Sequence, residues 1–267
     1  MSLRLVPLID GPEHDETIVF VQGWPNDASV WDPTVETLRR SYRCVRITLP
    51  NFDGKPVARW GYSTDEIVGA IADLLKEAGT NRPVTLVLHD WGTYWGHAAH
   101  HRCPELVARV VGLDVAPHFK PTAAAAAGIL AYQAWLLAAF VEGGSLGTAM
   151  TRAFAKLAGA PVDESRLHTW MNYPYRNICA DILAGRDKKL TQGYWPTCPL
   201  LFVYGENKPF PFHSAAWVDH VHRVGGKVVG LRCGHWVMRD RSFVEVLGRW
   251  LAEVGDATPT ERVSSSV

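Results

Sequence analysis

Asp90 stands where this sequence could place a nucleophile. It follows Val84-Thr85-Leu86-Val87-Leu88, an apolar run of the kind that fills a strand buried on both faces. It precedes Trp91-Gly92-Thr93-Tyr94-Trp95-Gly96-His97-Ala98-Ala99, which can open a helix. A sharp strand-to-helix turn carrying one reactive side chain is the nucleophile-elbow geometry. The helix N-terminus favours negative charge, so a carboxylate there stays ionised and able to attack. Asp is also a good helix cap, so the motif needs partners before it means chemistry. Nucleophilic catalysis asks for a base, a group that orients it, and donors for a developing oxyanion. The base candidate is His235, in Cys233-Gly234-His235-Trp236 after the last predicted strand, where Gly234 lets the loop bend. Gly23-Trp24-Pro25, after another strand, makes a tight loop whose backbone N–H groups can point into a site.

The elements that must position these residues alternate along the chain. Apolar runs predict strands over 3–8, 17–22, 43–49, 84–88, 106–115, 200–204 and 227–231. Periodicity predicts helices over 32–40, 64–78, from 92, 122–141, 214–224 and 242–252, with short helical segments past Asp163 to Leu183. Such alternation implies an α/β fold: a mainly parallel sheet covered by helices on both faces, with ligands at the carboxyl ends of the strands. Gly23, Asp90, Asp114 and Gly205 all fall at such ends, and that convergence is the argument for an active site. The expected organisation is a first core segment over 1–116, an inserted helical lid over 117–196, a second core segment over 197–255, and a polar, disordered tail over 256–267.

The chain has 267 residues, 47% of them hydrophobic, enough for one sizeable core. Lys+Arg and Asp+Glu balance at 27 each, which points away from nucleic acid and from anionic membrane surfaces. The five cysteines are scattered without a CxxC pair, which fits a reducing, cytoplasmic setting rather than a disulfide framework or a zinc site. His100-His101 and His220-x-His222 read as surface residues, and no metal or organic cofactor is expected. Residues 122–141 approach the length of a membrane span, but Tyr132, Gln133 and Trp135 interrupt them, and a lid over a pocket explains them better. Eleven Trp, several beside the motifs, suggest a dry pocket and a small apolar substrate. A homo-oligomer is compatible with the sequence and not specified by it.

The chain order of nucleophile and histidine, over roughly 17–252, resembles the α/β-hydrolase superfamily. His89-Asp90-Trp91-Gly92 is similar to the elbow of epoxide hydrolases and haloalkane dehalogenases, where Asp replaces Ser. Gln22-Gly23-Trp24-Pro25 resembles their HGxP loop, with Gln for His. The resemblance implies an oxyanion hole from the backbone N–H groups of Trp24 and Trp91, and a cis Trp24-Pro25 bond. Leu88 stands where the elbow carries its first Gly, so packing must differ there. Many members keep the triad acid in the loop after the strand that here ends at Tyr204; this sequence has Gly205-Glu206-Asn207-Lys208-Pro209, with Lys where Asp would be expected. Asp114, at the position one dehalogenase subgroup uses, is the first choice of acid, and Glu206 the reserve.

The lid separates the readings that remain. Epoxide hydrolases use two lid tyrosines to donate hydrogen bonds to the epoxide oxygen. Tyr132-Gln133 resembles the first of these motifs and Tyr173-Pro174-Tyr175-Arg176-Asn177 the second, with Tyr175 as donor. The expected reaction is attack by Asp90 on an epoxide carbon, then hydrolysis of the resulting ester by a water that His235 activates. A haloalkane dehalogenase would share everything except the tyrosines, with Trp91 as one halide donor. A hydrolase fold retired to binding a small ligand is the reading from another class.

Overall fold

The computed structural model describes residues 3–12, 16–55, 58–79, 82–186 and 193–256. Its centre is a seven-stranded sheet: β1 (Leu8–Asp10), β2 (Thr17–Val21), β3 (Arg43–Arg46), β4 (Val84–His89), β5 (Val107–Leu113), β6 (Leu200–Gly205) and β7 (Lys227–Leu231). The spatial order is β1-β3-β2-β4-β5-β6-β7. All neighbours pair parallel except β1, which runs antiparallel to β3 at the edge. The helices are α1 (Asp32–Leu38), α2 (Thr64–Ala78), α3 (Trp91–Arg102), α4 (Ala123–Glu142), α5 (Gly144–Leu157), α6 (Tyr173–Leu183), α7 (Ala215–Arg223) and α8 (Arg241–Asp256).

The strands are apolar throughout because both faces are covered. On β2, Val19 and Val21 face α2, α3 and α7, while Ile18 and Phe20 face α1 and α8. Burying each such side chain is worth about 1.5–3 kcal/mol. The boundaries of α2 follow from local chemistry. The Ser63 side chain accepts from the Glu66 amide and the Glu66 carboxylate accepts from the Ser63 amide, a reciprocal cap. Its burial pattern places Ile67, Val68, Ile71, Leu74 and Leu75 against the sheet.

Three expectations are corrected. The first strand is 8–10 rather than 3–8: Pro7 supplies no N–H for a ladder, and Val6 is exposed while Leu5 is buried. The segment after 141 is not a set of short helices from the start. Gly143, at φ +69°, turns the chain directly into the fourteen-residue α5. His100 and His220 are buried rather than superficial. His100 Nδ1 lies 2.5 Å from the Tyr194 hydroxyl, and His220 Nε2 donates to the Pro196 carbonyl at 2.8 Å. Their apolar and aromatic neighbours, Trp195 and Trp217 among them, left no trace in the local sequence pattern.

Between β5 and β6 the chain builds α4, α5 and α6, which pack on one another beyond the carboxyl ends of the strands. Among the described residues, α4 is the one helix long and apolar enough to cross a membrane by length and composition. Here it packs against α5 and α6 and turns Ile129, Tyr132 and Gln133 toward a cavity. Residues 257–267, most of the expected tail, lie outside the described residues.

Candidate active site

Asp90 occupies the turn between β4 and α3 with φ +52° and ψ −123°, a conformation that non-glycine residues rarely adopt. Three glycines let the backbone crowd in around it. A Cβ on Gly23 would collide with the Asp90 carboxylate and the Trp91 amide, and one on Gly92 with the Val21 and Gln22 carbonyls. A Cβ on Gly96 would strike the Leu88 side chain. This is how the elbow accommodates Leu88 where a glycine was expected: the space is given by Gly96, in the second turn of α3. Gln22 likewise has a structural occupation. With its amide oriented to suit its neighbours, it donates to the Ile47 carbonyl at 2.7 Å and accepts from the Leu49 amide at 2.8 Å. It thereby ties the loop after β2 to the chain leaving β3.

The Asp90 carboxylate is oriented at both oxygens. Oδ2 accepts from the Trp24 amide at 2.6 Å, and the Trp91 amide also donates to the carboxylate. Oδ1 lies 3.7 Å from His235 Nε2. Burial pushes the Asp90 carboxyl above its usual range, while His235 and the two amides pull the other way. The Trp24-Pro25 peptide bond is cis, as the resemblance implied.

Behind His235 stands Asp114, fully buried at the end of β5 with φ +65°. Its Oδ2 accepts from His235 Nδ1 at 2.6 Å. A carboxylate can only accept, so Nδ1 carries the hydrogen and Nε2 is left as the basic atom turned toward Asp90. Asp114 Oδ1 accepts from the Gly205 amide at 3.0 Å and from Lys208 Nζ. Burial opposes ionisation of Asp114, but His235 and Lys208 outweigh it and hold the carboxyl below its ordinary value. Glu206, the reserve acid, is not brought to His235. It is exposed, and its carboxylate lies against Gly230 on β7, because its position directly after β6 turns it along the sheet edge.

Two contacts fix the His235 loop. His89 Nε2 donates to the His235 carbonyl at 3.0 Å; burial drives the His89 ring down to about 3, so it is neutral. Trp236 Nε1 donates to Asn26 Oδ1 at 2.7 Å, joining the loop to the one after β2. Sequence reasoning missed both, and Lys208 as a partner of Asp114; the signal it held was Lys208 at an unexpected place.

The site opens into a cavity of about 850 Å³ whose wall includes Trp24, Trp91, Phe154, Tyr132, Tyr175 and Phe212. The Tyr132 and Tyr175 rings meet edge to face at 6.2 Å, and Tyr175 meets Trp91 edge to face at 5.3 Å. Burial, with the Asp90 charge adding to it, pushes the Tyr132 phenol up to about 12. Burial pushes Tyr175 well above its ordinary value. Both therefore keep their protons. The Gln133 side chain hydrogen-bonds to Tyr132 and the Trp91 indole to Tyr175. The Trp24 indole is committed to Asn172 Oδ1 at 2.8 Å and does not serve the cavity as a donor.

Among proteins of known activity, residues of this chain align with epoxide hydrolase 1 of Caenorhabditis elegans, 28% identical over 116 residues. That match covers 43% of this chain and 28% of the relative. A second alignment, 27% identical over 129 residues, is with a cis-3-alkyl-4-alkyloxetan-2-one decarboxylase of Xanthomonas campestris and covers 43% of this chain and 42% of the relative. The chain thus spans less than half the length of these relatives. Solved structures share the fold over nearly the whole molecule. A haloalkane dehalogenase loop variant from Bradyrhizobium elkanii superposes with a TM-score of 0.70 at 18% identity, covering 96% of this chain and 95% of that one. A Bacillus megaterium epoxide hydrolase bound to an inhibitor gives a TM-score of 0.70 at 17% identity, covering 93% and 96%. The family model for alpha/beta hydrolases matches residues 18–249, and with that span this chain belongs to the alpha/beta hydrolase family.

Proposed function

We propose that this protein opens small apolar epoxides to diols, with the helices between β5 and β6 acting as the cap that closes the cavity. The observation that carries this reading is the pair of protonated phenols, Tyr132 and Tyr175, in the wall of the cavity that holds Asp90. Opening an epoxide leaves charge on an alkoxide oxygen, and a phenol that keeps its proton is a suitable donor to it. Asp90 Oδ1 attacks an epoxide carbon; the C–O bond breaks, and the alkoxide takes a proton from a tyrosine hydroxyl. The product of this step is an ester between Asp90 and the substrate.

In the second step a water attacks the ester carbonyl while His235 Nε2 takes its proton. The 3.7 Å between Nε2 and Oδ1 is too long for a direct hydrogen bond and within reach of one bridging water. The carbonyl oxygen, in the place of Oδ2, becomes the oxyanion on the Trp24 and Trp91 amides. Collapse returns the Asp90 carboxylate and releases the diol. The proton held by His235 goes back to the tyrosine, through solvent or product, which closes the cycle.

A second reading, displacement of halide from a haloalkane, draws on the place of Asp114 at the end of β5. Two engaged indoles weigh against it: Trp24 donates to Asn172 and Trp91 to Tyr175, leaving the halide with competition for its donors. The deciding experiment compares the protein with Asp90→Asn on styrene oxide and 1-bromobutane, following diol and bromide. Diol without bromide, lost in the variant, is the expected result. Bromide without diol would move the assignment to the dehalogenase reading, and neither product would leave the binding-protein reading.

A further inference from the structure

We propose that Lys208 is a positioning residue of the reaction: it fixes the Asp114 carboxylate and offsets its charge, and so sets the pH at which His235 becomes available as base. The proposal rests on the reading of His235 as base given above, and adds a part that the triad alone does not contain.

Lys208 Nζ donates to Asp114 Oδ1, the oxygen that also accepts from the Gly205 amide. Oδ2 is left to His235. The Lys208 side chain is 7% exposed and that of Asp114 0%, so neither charge has water to stabilise it and each depends on the other. The ammonium also sits over the Phe212 ring at 5.2 Å, and Phe212 in turn lies 5.9 Å from the His235 ring. A buried cation held between the acid and an aromatic wall is an arrangement, not a surface lysine that happens to reach inward.

Its consequence follows from Coulomb's law in a poorly hydrated place. A lone carboxylate behind an imidazole stabilises the protonated ring strongly. A carboxylate that already shares its charge with an ammonium stabilises it less, so the ring gives up its proton at lower pH. The other groups facing His235 do not duplicate this effect. Asp90 lies across Nε2, His89 is neutral against the His235 carbonyl, and His213 and Cys233 interact with Lys208 and Asp114. Arg239 and Asp240 line the same cavity as a pair of opposite charges.

The test is the pH dependence of ester hydrolysis in single turnovers with styrene oxide. Lys208→Met is expected to move the acid limb up by about one pH unit, whereas Lys208→Arg keeps it where the unaltered protein has it. A limb unmoved by Lys208→Met in folded protein overturns the proposal. If Lys208→Met does not fold, Lys208→Gln carries the same expectation. His235→Gln separates the two layers: if it keeps both turnover and the limb, the assignment of His235 as base has failed, not the role of Lys208.

Discussion

Replacing Tyr175 by Phe should slow formation of the Asp90 ester and leave its hydrolysis unchanged. Tyr175 is 3% exposed, so phenylalanine fills the same space and removes only the hydroxyl. A hydrogen bond to a charged acceptor contributes about 1.5–3 kcal/mol, which is roughly 10–150-fold in rate. The Trp91 indole loses its acceptor in the variant, but it loses it in the ground state and the transition state alike, so that cost falls on stability. Tyr132→Phe should behave similarly, and the double variant should lose at least the larger single effect, since no phenol then meets the alkoxide. Trp24, Trp91 and Trp236 line the cavity, so rapid mixing of excess enzyme with styrene oxide, followed by tryptophan fluorescence, reports both steps. Hydrolysis draws on His235 and the Trp24 and Trp91 amides, none of which the substitution touches. Unchanged ester formation in both single variants, or slowing confined to hydrolysis, would refute the donor role. Any bromide release from 1-bromobutane should not fall in Tyr175→Phe, because a halide leaves without a proton and the variant frees the Trp91 indole as a donor.

Three further expectations follow from the same geometry. His235→Gln should trap the ester, seen by intact mass spectrometry as the protein plus one substrate; normal turnover in that variant would remove His235 from the mechanism. Gly23→Ala drives a methyl group against the Asp90 carboxylate and the Trp91 amide, so diol formation should fall by about 10²–10³. Activity near that of the unaltered protein would show that the two amides are not used. Acid should destabilise the fold through histidines buried neutral: burial lowers His89 to about 3 and His100 to about 4, and His97 well below its usual value. Their folded values lie below the unfolded ones, so the unfolded chain binds more protons once the pH falls below about 6.5. Stability is whole above that point and is lost toward the folded values, at up to about 1.4 kcal/mol per pH unit for each histidine. Urea midpoints that stay level from pH 7 to pH 4.5 would contradict this.

Strand positions were legible because strands covered on both faces must be apolar, and strands β2 and β4 to β7 match their runs within two residues. Helix α2 was legible to the residue from its amphipathic pattern and the Asp65-Glu66 pair in its first turn. That Asp90, His235 and a carboxylate would converge was readable from strand ends, because a parallel sheet delivers those ends to one edge, while the choice of Asp114 over Glu206 drew on the resemblance as well. What stayed hidden depends on contacts made across long stretches of chain. Nothing near His100 or His220 signals that Tyr194 and Pro196 will cover them, so two histidines with polar neighbours in sequence end up buried.

Leu88 and Lys208 mark the point where departures from a pattern become informative. Judged against the resemblance, each looks like a missing part: no glycine at 88 before the elbow, no aspartate at 208 in the loop after β6. Leu88 is answered by Gly96, which stands in the second turn of α3 and gives the room that the motif usually keeps for itself. Lys208 is answered by Asp114, which supplies the carboxylate from the neighbouring strand. In both cases the function has moved to another residue, and the altered position serves the one that took it over. A departure without such an answer argues for a retired site. Two departures, each with a partner at contact distance, argue for a working one, and Lys208→Met is where that argument can fail.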